Sequence, residues 1–168
     1  MSMSECARAA SAAEARFRIN APIAPARAPR IVALDEGAAG VVRNVATREW
    51  TNARFLVCER PAPGAGGAGG VPGDGLVLRD VHGRLVPLSE VLARADAVFM
   101  VATDDTGAAW ARTIGKACLE RGVMTAGFVL AYGYEADDAV SALRPHARVL
   151  LPTADESDVI EVLRALRA

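Results

Sequence analysis

A chain of 168 residues is long enough for one domain with a buried core, and a hydrophobic share of 52% excludes global disorder. A net charge of −1 gives no electrostatic case for nucleic acid or an anionic membrane as the main partner. Cys6, Cys58 and Cys118 form no CxxC or Cys/His cluster, so neither a disulfide framework nor a zinc site is supported; His82 and His146 stand alone. A reducing cytoplasm is the simplest compartment, and no apolar run reaches the roughly 20 residues that span a bilayer.

Residues 1–29 are rich in Ala and Arg, with Pro22, Pro25 and Pro29 near their end. No apolar stretch follows the basic residues, so a secretory signal is not expected. The segment reads as a flexible or loosely docked tail, with a docking arm for a partner as the functional alternative. A single domain is expected over 30–168.

Ile31–Leu34 reads as a buried strand, and Val41, Val42 and Val45 place an apolar stripe on a helix over 38–48. Phe55–Cys58 is a second strand. The run 61–75 is so rich in Gly and Pro that neither helix nor central strand is expected there. Leu76–Leu78 and Leu85–Leu88 flank His82-Gly83, a hairpin turn, and Ser89 is placed to cap a short helix over 90–95.

Ala97–Ala102 is a continuous apolar strand. Asp104, Asp105 and Thr106 offer N-caps for a helix to about Arg121, with Trp110, Ile114 and Cys118 on one face. Gly122 stands where a left-handed residue ends that helix. Val123–Leu130 is the next strand, then a helix over Glu135–Leu143, a strand over Arg148–Leu151, and a final helix. Thr153 and Glu156 form its expected capping box, and Val159, Leu163 and Leu166 its buried stripe. The strand–helix alternation and the unbroken apolar strands predict an α/β domain with a doubly wound, mostly parallel sheet of Rossmann-like type. Ligands on such sheets sit beyond the carboxyl ends of the strands, which singles out loops 35–40, 61–75 and 103–107.

The same loops resemble the FtsZ/tubulin family of nucleotide-binding domains. Ile31-Val-Ala-Leu-Asp-Glu-Gly-Ala-Ala-Gly-Val-Val-Arg-Asn44 is similar to the family's opening strand, Gly-rich loop and helix. Gly67-Ala68-Gly69-Gly70-Val71-Pro72 resembles its middle loop, and Arg94-Ala-Asp-Ala-Val-Phe-Met-Val101 its approach to the next strand. Asp105-Thr-Gly-Ala-Ala109 resembles the end of its signature loop, Arg121–Val129 the following strand, and Ala142–Pro152 a later segment containing His146.

The resemblance implies a GTP or GDP site at Gly37, Ala38, Ala39, Gly40, Gly69, Gly70, Thr106, Gly107 and Ala108, with Glu135 on the ribose. It also implies protein partners or a homo-oligomer, and a bacterial, cytoplasmic setting. Four departures bear on that site. The signature Gly run is shortened to Thr103-Asp104-Asp105; Asp35 and Glu36 replace Gly in the first loop; Cys58-Glu59-Arg60 replaces an Asn-Thr-Asp-like stretch; and Ala139 stands where an Arg follows the ribose-contacting Glu.

The carboxylates bear directly on a triphosphate. Two unit charges about 4 Å apart repel by roughly 4 kcal/mol at an effective dielectric of about 20. A capping carboxylate also takes the N–H groups that a phosphate needs. The expected function is therefore an FtsZ-like module without GTP hydrolysis that acts through protein contacts or self-association. The alternatives are a GTP/GDP-binding protein with lost hydrolysis, its acids turned outward or holding Mg²⁺, and a Rossmann-like dinucleotide enzyme. A cationic or neutral ligand is a further reading of the acids. Gly37-Ala-Ala-Gly40 lacks the G-x-G-x-x-G spacing of a dinucleotide site. Cys58, at a strand end, reads as either a reactive thiol or an inert buried one.

Overall fold

The computed structural model describes residues 27–59, 76–130 and 136–168. Seven strands form one sheet: β1 (Pro29–Ala33), β2 (Arg54–Cys58), β3 (Val77–Asp80), β4 (Leu85–Pro87), β5 (Ala97–Ala102), β6 (Met124–Val129) and β7 (Val149–Leu151). Their order is β4-β3-β2-β1-β5-β6-β7. Strands β2, β1, β5, β6 and β7 run parallel, while β3 and β4 add an antiparallel hairpin at one edge. The Rossmann-like α/β architecture read from the apolar rhythm is the one observed.

Among the described residues, five helices cover the sheet: α1 (Glu36–Ala46), α2 (Leu88–Ala93), α3 (Ala108–Glu120), α4 (Asp137–Leu143) and α5 (Glu156–Ala165). Each face carries its own apolar layer. Ile31, Ala33, Phe55, Val101 and Phe128 pack with Val42 and Val45 of α1 and Val159 and Leu163 of α5. On the other face, Val32, Leu56, Val98 and Met100 pack with Val91 of α2, Ile114 and Cys118 of α3, and Leu143 of α4. The central strands are therefore apolar at almost every position, Arg30 of β1 being the exception, and all residues of β1 and β5 are buried.

Most element ends follow local chemistry. Gly122 takes φ +67, the Val123 N–H reaches the Cys118 carbonyl at 2.9 Å, and α3 stops. The His82-Gly83 turn is braced by Asp80, whose carboxylate accepts from the N–H groups of His82 and Arg84, both at 2.9 Å. Two expected caps are corrected. Ser89 does not cap α2: strand β4 runs straight into that helix, Pro87 is its N-cap with extended backbone, and no side chain bonds there. The box on α5 is Asp155/Asp158 in place of Thr153/Glu156, with the Asp155 N–H donating to Asp158 at 2.8 Å and the Asp158 N–H to Asp155 at 3.1 Å. Glu156 instead accepts from Asn44 Nδ2 at 2.7 Å and ties α5 to α1.

No helix among the described residues is long and apolar enough to cross a membrane. Residues 1–26 of the tail expected over 1–29, and the Gly/Pro-rich run 61–75, lie outside the described residues. At the start of the described chain, the Arg27 N–H donates to the Leu166 carbonyl at 3.2 Å, and β1 begins two residues later.

Candidate functional site

Strand order reverses beside β1. The chain leaves β1 toward β2, β3 and β4 on one side, then returns to place β5 on the other. The loops after β1 and β5 must therefore diverge, and a crevice opens between them at the carboxyl end of the sheet. A cleft of about 400 Å³ lies there, lined by Leu34, Asp35, Glu36, Cys58, Asp104, Thr106 and Trp110. Two of the three loops singled out from the sequence meet at this point.

The first helix turn shows how the cleft is built. Asp35 is the N-cap of α1 and is only 6% exposed. Its Oδ1 accepts from the Ala38 N–H at 2.7 Å and from the Thr103 hydroxyl at 2.6 Å. Its Oδ2 accepts from the Thr103 N–H at 2.7 Å and from the Asp104 N–H at 3.4 Å. One carboxylate thus takes the α1 donor and two backbone donors of the facing loop. These are the groups that a bound phosphate would use.

The neighbouring acids also cap helices. Asp104 caps the single 3-10 turn Asp105–Gly107 that leads into α3, accepting from the N–H of Thr106 at 2.8 Å and from its hydroxyl. Asp105 reaches across to α4 and accepts from the Ala139 N–H at 2.7 Å. No side chain from α4's own N-cap, Ala136, does this work. Ala139, aligned with an expected Arg, supplies a capped backbone amide.

Of the residues that the sequence assigned to a nucleotide site, Gly37, Ala38, Ala39 and Gly40 form the first turns of α1, while Thr106, Gly107 and Ala108 open α3. Of these, Thr106 lines the cleft, while Ala38 and Ala39 pack into the apolar layer on one face of the sheet and Ala108 into the layer on the other. Ala38, Ala39, Gly107 and Ala108 are buried. The glycines have a packing cause. A Cβ on Gly37 would collide with the Thr103 hydroxyl, and one on Gly107 would sit 2.6 Å from Leu34 Cβ and 2.8 Å from the Leu34 carbonyl oxygen. Both permit the close approach of the β5–α3 loop to the end of β1. Gly69, Gly70 and Glu135 lie outside the described residues.

Trp110, expected in the core, is half-buried and forms one wall of the cleft. Cys58 is 8% exposed at the cleft floor. Burial, and then the negative charge of Asp35, push its thiol well above the ordinary cysteine value. It is therefore a protonated thiol and a poor nucleophile at neutral pH, which favours the inert reading. Among the described residues, no group of three or more His, Cys, Asp or Glu side chains is placed to hold a metal ion.

Sequence reasoning missed Arg30. It lies in β1 and is buried, and its guanidinium donates to the carbonyls of Val91, Ala28, Pro29, Asn52 and Arg94 at 2.7–3.4 Å. Burial, and then the nearby Arg54 charge, lower its pKa. It ties β1 to the end of α2 at the amino end of the sheet, opposite the cleft. Nothing in its sequence context separates it from the other arginines of the Arg-rich first segment.

Parallel strands with returning helices also sort the charges. The starts of all five helices gather at the carboxyl end of the sheet, with Asp35, Glu36, Asp104, Asp105, Asp137, Asp138, Asp155, Glu156 and Asp158. The helix ends gather at the opposite side, with Arg94, Arg121, Arg144, Arg148 and Arg167. Of the acids at that side, Asp96 already accepts from the Ala28 N–H, and Glu120 lies 4.0 Å from Lys116. Each helix end carries about half a unit of charge opposite in sign to these side chains, too little to cancel them. A molecule of net charge −1 is thereby polarised, acidic at the cleft and basic at the far end.

No protein-family model matches this chain, and no curated protein sequence matches it.

Proposed function

We propose that this chain is an FtsZ-like module that does not hydrolyse GTP and acts through protein contacts. One observation carries the reading: the Asp35 carboxylate accepts the Ala38 N–H at the α1 N-terminus and the Thr103 and Asp104 N–H groups of the facing loop. A phosphate entering there meets a negative carboxylate and finds the N–H groups of Ala38, Thr103 and Asp104 already taken. Acids are also concentrated around the cleft mouth, which raises the cost of a polyanion further. The order of the resembling segments along the chain supports the family reading.

Isothermal titration with GTP and GDP in Mg²⁺, together with a phosphate-release assay, tests this. The expected result is no saturable heat and no turnover above the buffer rate. Tight saturable binding would replace this reading with the second one, a GTP- or GDP-binding protein with lost hydrolysis, which the open cleft at the switch point favours. A thermal-shift screen with NAD(P) and FAD tests the dinucleotide alternative.

A further inference from the structure

The cleft at the carboxyl end of the sheet carries unbalanced charge. Asp35, Glu36 and Asp104 line it, and no Lys, Arg or His among the described residues does. Asp35 is 6% exposed, and its hydrogen bonds come only from backbone N–H groups and the Thr103 hydroxyl. No cationic side chain among the described residues lies within 4.0 Å of it. A carboxylate this buried ordinarily meets a counter-charge. Glu36 pairs with Arg43 at 3.5 Å, with both side chains exposed. Asp104 gives Oδ1 to Thr106 and leaves Oδ2 without a donor among the described residues.

The floor of the cleft adds an observation independent of the acids. Cys58 is 8% exposed there, and its thiol has no hydrogen-bond partner among the described residues. Leu34 and Trp110 line the same space. A cleft of about 400 Å³ thus combines uncompensated negative charge with an apolar lining and an unpartnered sulfur.

We propose that this cleft binds a small primary alkylammonium ion. The inference rests on the reading that phosphate is refused here, since the carboxylates that repel an anion attract a cation. The ammonium donates to Asp104 Oδ2, the acceptor that the fold leaves open. It offsets the Asp35 charge through space, because that carboxylate already accepts four hydrogen bonds. A quaternary ammonium has no N–H to offer Asp104. A bare inorganic cation leaves the apolar lining unused, and no group of three or more ligating side chains is placed for one among the described residues. The alkyl stem lies against Leu34 and the Trp110 indole, and an indole favours a cation over a neutral group of the same shape. The Cys58 sulfur is a weak acceptor within the same space.

Two-dimensional amide NMR of the full chain tests the proposal, with n-butylammonium chloride as probe and n-butanol and sodium butyrate as controls at matched ionic strength. Butylammonium should give saturable shifts centred on residues 34–36 and 104–106 and on the Trp110 side-chain N–H, weakening as salt rises; the controls should give none there. Asp104→Asn keeps an acceptor for Thr106 but loses the charge, so its thermal midpoint should stay near wild type while affinity falls about tenfold. Trp110→Leu keeps an apolar wall and should weaken binding several-fold. Equal binding of butanol overturns the proposal. So do shifts confined to other acids such as Asp137 and Asp138, or affinity unchanged in Asp104→Asn. GTP added to separate samples distinguishes the two readings. Absence of both GTP and butylammonium shifts removes this inference alone, whereas saturable GTP shifts at the cleft remove the proposed function even where butylammonium binds.

Discussion

The Asp35 carboxylate accepts both the N–H and the hydroxyl of Thr103, at 2.7 and 2.6 Å, across a separation of 68 residues. The same side chain caps α1 through the Ala38 N–H. It therefore locks the end of β1 to the end of β5 at the point where a ligand of this architecture would enter. Asp35→Ala leaves these buried donors unpaired and is expected to lower stability by about 2–3 kcal/mol. Asp35→Asn keeps an acceptor for Ala38 and is expected to lose less. Urea unfolding of both variants with unchanged m-values checks the ordering.

Asp105 caps α4 from another element, through the Ala139 N–H. Asp105→Ala is expected to cost about 1 kcal/mol, the usual value of a lost N-cap, and to raise amide exchange first in α4. Hydrogen exchange that rises equally throughout the domain would refute a local capping role.

Arg30 bonds five carbonyls from the amino end of the sheet. Arg30→Met retains the aliphatic stem and removes every donor, so a loss of about 2–3 kcal/mol is expected, with no change in any ligand response at the cleft. Equilibrium denaturation and a thermal-shift screen read the two effects separately.

Gly115 of α3 packs against the His146 ring, and a Cβ there would collide with it. Gly115→Ala raises helix propensity but forces that contact apart. The clash is expected to win, with a net loss of about 1–2 kcal/mol by chemical denaturation. A stabilised variant would show that the His146 segment yields freely.

The buried thiols predict an alkaline limb. Burial pushes Cys118 up to about 12 from an ordinary value of 9.0, and raises Cys58 in the same direction. Between those values the unfolded thiol loses its proton while the folded one keeps it. Stability is therefore complete below about pH 9 and falls as pH rises through the folded value. The thermal midpoint should decline over that window, and Cys58→Ala with Cys118→Ala should flatten the decline. In the folded wild type at pH 8, both thiols should resist a disulfide-exchange reagent that labels them in denaturant.

The sequence by itself determined the elements and the class of fold. Unbroken apolar runs such as Ala97–Ala102 admit only a strand covered on both faces, and Gly122 and Asp104 mark helix boundaries through interactions spanning a few residues. It also located the acids at the mouths of loops 35–40 and 103–107 and gave helix capping as one of their roles. The tertiary structure alone decided which donors each carboxylate meets. Asp35 serves Thr103, Asp105 serves Ala139, and Arg30 gathers carbonyls from several segments, because sheet order brings distant loops to the same edge. Even the local caps of α2 and α5 turned on this: Ser89 and Thr153 have suitable hydroxyls, but Pro87 runs directly from β4 into α2, and Glu156 is drawn to Asn44 on α1. A side chain's donors and acceptors are visible in sequence; its choice among partners depends on where burial leaves groups unsatisfied, and that is settled only when the chain packs.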